Sequence, residues 1–91
     1  MNQNKVALTL ADTEYSYQIP QFAKEFTFKL RPLNDGAKLK YYFVAGGDVA
    51  NSIYTTLESG QSRSFNGALQ TVLIYFKSNV AGQTVEVDYW I

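Results

Sequence analysis

Ninety-one residues, 46% of them hydrophobic and 15% aromatic, suffice for one core and one domain spanning 1–91. Eight basic side chains balance eight acidic ones, so no whole-molecule field draws the chain to nucleic acid or to an anionic membrane. The lack of Cys and His excludes disulfides, thiol chemistry, the commonest zinc ligands and the usual base near neutral pH.

The opening residues MNQNKVALTLADTEY hold no basic segment running into a continuous apolar stretch. No segment approaches the ~20 apolar residues that span a bilayer, so a chain made in the cytoplasm without a visible signal peptide is expected. From there the pattern is β throughout. Val6, Leu8 and Leu10 alternate with polar or small neighbours, Ala11-Asp12-Thr13 turns the chain, and Tyr15, Tyr17 and Ile19 form a second alternating run. Pro20 closes that run because it cannot donate to a ladder. Phe26, Phe28 and Leu30 mark the cleanest strand, ended by Pro32 and by Asn34-Asp35-Gly36, whose Asp-Gly pair suits the positive φ of a tight turn.

A fourth strand is predicted from Ala37 to Ala45, with Leu39, Tyr41 and Phe43 inward and Tyr42 and Val44 on the opposite face. Residues 45–51 form the longest predicted loop, followed by strands at 52–58 and 63–65 separated by the turn Ser59-Gly60-Gln61. The seventh strand, 69–77, is apolar without alternation at Val72, Leu73, Ile74, Tyr75 and Phe76, as expected for a strand covered on both faces. The last, 83–91, turns Val85, Val87, Tyr89 and Ile91 inward and Glu86, Asp88 and Trp90 outward. No helix beyond a single turn is predicted.

Eight short strands at this spacing predict an all-β protein, an antiparallel two-sheet β-sandwich of jelly-roll-like topology. In that topology strand eight lies between strands one and three, and strand seven between two and four. Glu86 and Asp88 then stand beside Lys5, Lys29 and Arg31, and opposite charges on neighbouring strands are worth ~0.2–1 kcal/mol per pair, although an immunoglobulin-like strand order also allows that pairing.

If strands four and seven are neighbours, Tyr42 and Val44 adjoin whichever apolar set of strand seven is not in the core, Val72-Ile74-Phe76 or Leu73-Tyr75. Such a patch needs a second cover, either a partner or a loop of the same chain. The candidate interface is assigned to Tyr42, Val44, Tyr54, Val72, Ile74, Phe76 and Trp90. Tyr42, Tyr54 and Trp90 are also the expected outward aromatics, and such side chains stack on sugar rings, which makes a carbohydrate-binding module the rival.

Other candidates resolve into ordinary features. Gly46-Gly47-Asp48 lacks the longer glycine pattern of a phosphate loop. Asp12, Asp35, Asp48 and Glu58 lack calcium-loop spacing. Glu86 and Asp88, ~6–7 Å apart by strand rise, have the separation of paired hydrolytic carboxylates but match any charged outer strand face. Lys24, Lys29, Arg31, Lys38 and Lys40 concentrate basic charge within one hairpin, but no nucleic-acid motif accompanies them. No catalytic residue, metal or cofactor is assigned.

Phe26-Thr27-Phe28-Lys29-Leu30-Arg31, Tyr54-Thr55-Thr56-Leu57-Glu58-Ser59-Gly60, Thr71-Val72-Leu73-Ile74-Tyr75-Phe76 and Val85-Glu86-Val87-Asp88-Tyr89-Trp90 together resemble segments of small virion proteins of tailed bacteriophages. The resemblance is to jelly-roll head-decoration or head-fibre modules and covers about two thirds of the chain. It implies a non-enzymatic structural protein of the virion, made in the host cytoplasm, commonly a homotrimer, seated on a larger lattice such as the major capsid protein.

Overall fold

Strand-forming alternation is realised along almost the whole chain. The computed structural model describes residues 2–50, 52–67 and 70–91. Within them run β1 (Asn2–Leu8), β2 (Tyr15–Ile19), β3 (Glu25–Leu30), β4 (Lys38–Tyr42), one helical turn α1 (Gly47–Ala50), β5 (Thr55–Glu58), β6 (Ser62–Asn66), β7 (Val72–Ser78) and β8 (Gln83–Trp90). Two four-stranded sheets form, ordered β1-β8-β3-β6 and β2-β7-β4-β5, and every pairing is antiparallel. This is the jelly-roll order: β8 lies between β1 and β3, and β7 between β2 and β4. Among the described residues no helix is long and apolar enough to cross a membrane.

The inner faces meet over Leu8, Ile19, Phe28, Leu30, Leu39, Ile74, Phe76, Val85 and Val87, all fully buried. Phe28 is the hub. Its ring packs edge-on against Tyr41 and Phe76 and stacks at 5.7 Å on Phe65, so three neighbouring strands are tied through one side chain. On the edge strand β6, Arg63 pairs with Phe28 and Phe65 with Phe26, which puts a charge on the inward side of an exposed edge. An inward-pointing charge of that kind blunts pairing with further strands.

Several element boundaries differ from those the pattern predicts. β1 starts at Asn2 and ends at Leu8, because its ladder with β8 continues through Asn4 opposite Val87 and Asn2 opposite Tyr89, while Leu10 is exposed. β4 stops at Tyr42 rather than Ala45, since the chain leaves the sheet at Phe43 to enter α1. The Asn34–Ala37 turn does not use a positive φ at Gly36: the Asn34 carboxamide accepts from Gly36 N–H and the Asn34 carbonyl from Ala37 N–H. Ile91, expected inward, lies beyond β8 and is exposed. Leu69, the predicted start of strand seven, lies outside the described residues.

Strand register sorts the loops into two ends. Asn2 opposite Tyr89, Glu25 opposite Trp90 and Glu25 opposite Asn66 set the start of β1, the end of β8, the start of β3 and the end of β6 side by side. The end of β2, the start of β7, the end of β4 and the start of β5 share that end in the other sheet, where Phe43 lies 5.9 Å from Phe65 across the sandwich.

Candidate functional site: the covered face of the second sheet

The outer face of β2-β7-β4-β5 is built in rows. Tyr75 of β7 pairs with Ser16 and Tyr42, and Lys77 pairs with Lys40, which in turn pairs with Thr56. Two lysines directly opposite each other are unfavourable unless a carboxylate stands between them or the charge finds another partner. The β4–β5 crossover, residues 43–54, supplies both. Gly46, in the left-handed region at φ 68°, turns the chain back over the sheet so that α1 lies on it. Asp48 of α1 then meets Lys77 at 2.8 Å, with its own side chain almost fully enclosed. Lys40 instead places its ammonium 4.7 Å above the Tyr54 ring.

A second anchor comes from the β1–β2 connection. Glu14 Oε1 accepts the Tyr42 hydroxyl at 2.7 Å and the Gly46 N–H at 2.9 Å, so one carboxylate ties sheet and crossover together. Tyr42 has a single hydroxyl proton, and with that hydrogen bond donated to Glu14 the buried Oδ1 of Asp48 has no hydrogen-bond partner among the described residues. Burial, then the hydrogen bond to Glu14, then the nearby Asp48 and Glu14 charges hold the Tyr42 phenol far above its usual pKa. Burial pushes the Asp48 carboxyl up, but the Lys77 hydrogen bond and charge, with the Tyr42 hydroxyl and the Lys40 charge, together hold the group below the ordinary carboxylate value.

Two small cavities flank Tyr54. One, of about 170 Å³, is apolar and lies at the end of the sandwich between Tyr41, Tyr42, Phe43, Val44, Ile53 and Tyr54. The other, of about 180 Å³, lies on the sheet between Lys38, Lys40, Lys77, Thr56, Asn79 and Asp12. Its three lysines are offset by Asp48 on Lys77, by Glu58 opposite Lys38 in register and by Asp12 at the rim, so it is polar without a net field.

The predicted interface residues divide. Ile74 and Phe76 are fully buried and Val72 packs against the core, so these three belong to the inner face of β7 and not to an interface. The register is the cause: Phe76 lies between Tyr15 and Tyr41, both inward, which leaves Leu73 and Tyr75 as the outer set. Tyr42 does face outward, but it is only 2% exposed, covered by the same chain and stacked 5.8 Å from Tyr75. Val44 is 65% exposed, Tyr54 41% and Trp90 36%. Trp90 lies in the other sheet, where its carbonyl accepts from Lys24 N–H at 2.6 Å.

The five basic residues predicted to share one hairpin are split, because the chain crosses between sheets after β3. Lys29 flanks Glu86, as does Lys5 on the other side, and Arg31 reaches the Glu86 carboxylate at 3.2 Å. Lys38 and Lys40 stand on the second sheet. Asp48, foreseen only as a turn carboxylate, and Glu14, not singled out at all, are the anchors of the covered face.

No family model and no curated protein matches the chain. Among solved structures, a de novo designed double-stranded beta-helix determined by solution NMR is similar, with a TM-score of 0.67 at 12% identity over 98% of this chain and 99% of that one. The likeness is one of fold. A fold of this kind hosts many unrelated functions, so function must be argued from the surface.

Proposed function

We propose that this chain acts by binding, as a structural module that assembles in several copies, a trimer by preference, and that its setting is a virion, where it decorates and reinforces a larger lattice such as a capsid. The observation that carries the binding role is the uneven placement of exposed apolar side chains. Phe22, Phe43, Val44, Ile53, Tyr54 and Trp90 project from the end where β2, β4 and β8 finish and β3 and β5 begin. At the opposite end Leu10 and Leu33 stand alone. Large apolar clusters on one surface mark interaction sites, whereas single ones are routine. The virion setting rests on the sequence resemblance.

Substitution of Val44 and Ile53 by Glu tests the role. The variant is expected to retain the far-ultraviolet spectrum and cooperative unfolding of the parent chain while losing its higher-mass species. Unchanged assembly would refute the placement of the interface. The carbohydrate-binding alternative retains Tyr54 and Trp90 as exposed aromatics on different sheets but loses Tyr42, which is covered.

A further inference from the structure

One residue at the apolar end breaks a local rule. Pro20, Gln21, Phe22 and Ala23 form a turn closed by the Ala23 N–H to Pro20 carbonyl bond, and Phe22 occupies its third position at φ 66°. That position in such a turn is normally glycine, because a Cβ in the left-handed region is strained and a bulky ring there is a genuine outlier. The strain is not repaid by burial: Phe22 is 64% exposed. Strained, solvent-facing positions of this sort are where functional contacts are found.

The same end offers a receptor of matching character. The apolar cavity of about 170 Å³ beneath Val44, Ile53 and Tyr54 is open, and it is walled by Tyr41, Tyr42 and Phe43. Phe22 follows β2, an edge strand of the second sheet, while the cavity adjoins β5, the opposite edge strand of that sheet. A chain with a protruding ring on one side and an apolar socket on another makes heterologous contacts, which close into a ring when the rotation between copies allows.

We propose that Phe22 of one copy inserts into the cavity between Val44, Ile53 and Tyr54 of the next, so that the strained turn holds out an aromatic knob for a second copy of the same chain. This rests on the assembly role proposed above and specifies its contact. The head-to-tail pairing joins copies at one end of the sandwich and leaves the outer face of β1-β8-β3, with its Arg31–Glu86 pair, outside the contact.

Because the chain has no cysteine, the contact can be read by disulfide trapping without background. Gln21→Cys and Ile53→Cys variants, each retaining Phe22, are mixed in equal amounts at micromolar concentration and oxidised. The expected product is a disulfide between position 21 of one chain and position 53 of the other, in excess over either self-linked pair. In Phe22→Gly backgrounds that product falls at least tenfold, while the unfolding midpoint of the isolated chain rises because the strain is relieved. Self-linked pairs alone, or an unchanged yield in the Phe22→Gly background, would overturn the knob-in-socket contact while leaving assembly intact. A parent chain that stays at monomer mass overturns the contact and the assembly role together, and leaves the cavity to a partner of another kind.

Discussion

The Asp48–Lys77 pair is the test of what holds the β4–β5 crossover on the sheet. Asp48→Asn keeps the shape of the side chain but leaves the Lys77 ammonium, only 17% exposed at its side chain, directly opposite Lys40 with no carboxylate to offset it. Removing one member of a buried pair costs about 3–5 kcal/mol. The residual hydration of Lys77 places the expected cost near the lower end, about 3 kcal/mol. A chain of this length has about 5–14 kcal/mol in total at roughly 0.05–0.15 kcal/mol per residue, so the loss is a large fraction. At about 4–8 °C per kcal/mol, the unfolding midpoint falls by about 12–24 °C. Thermal unfolding followed by circular dichroism measures the midpoint, and urea titration the free energy. Replacing both partners, Asp48→Asn with Lys77→Met, removes the isolated charge and should restore most of the loss. A cost below about 0.5 kcal/mol for the single variant, or a double variant no better than the sum of the singles, would refute the role given to the pair.

Four further outcomes follow from the same contacts. Phe28→Ala, at the aromatic hub, should cost about 3–5 kcal/mol in urea unfolding, since the rings of Tyr41, Phe65 and Phe76 cannot all collapse into the space left. Glu86→Ala, by contrast, breaks a pair with both side chains more than a third exposed and should cost under about 1 kcal/mol, vanishing in high salt. Stability should decline as pH rises beyond the ordinary tyrosine value of 10.0, because Tyr42 and Tyr17 both titrate higher in the folded chain, and a group raised on folding stabilises below its unfolded pKa; Tyr42→Phe should weaken that decline. Arg63→Val, which removes the inward charge from edge strand β6, should raise turbidity on gentle heating without lowering the unfolding free energy in urea by more than about 0.5 kcal/mol.

The sandwich was readable because its strands alternate where one face is buried. Phe26-Thr27-Phe28-Lys29-Leu30 and Val85-Glu86-Val87-Asp88 assign their own inward sets, and with β8 between β1 and β3 Glu86 meets Lys5, Lys29 and Arg31, while Asp88 stands opposite Gln3 and Thr27 instead. β7 gave no such signal, since Val72-Ile74-Phe76 and Leu73-Tyr75 are equally apolar. A weak cue was present: Lys77 shares the parity of Leu73 and Tyr75, and a lysine marks the outer set. The covered face was legible only as a need for cover. Its anchors are non-local, with Glu14 meeting Gly46 and Asp48 meeting Lys77 across long sequence separations, and no short pattern encodes such meetings. The strain at Phe22 was hidden for a related reason. A residue type says nothing of its φ when the local preference is overridden by the path between two sheets.

Assembly through the apolar end is the central claim, and the mass of the chain in solution tests it most directly. Sedimentation equilibrium across a dilution series at micromolar concentration should show a multiple of the 10.3 kDa chain mass, three by preference, that dissociates on dilution and is lost in Phe22→Gly. A single species of 10.3 kDa at every concentration would contradict it.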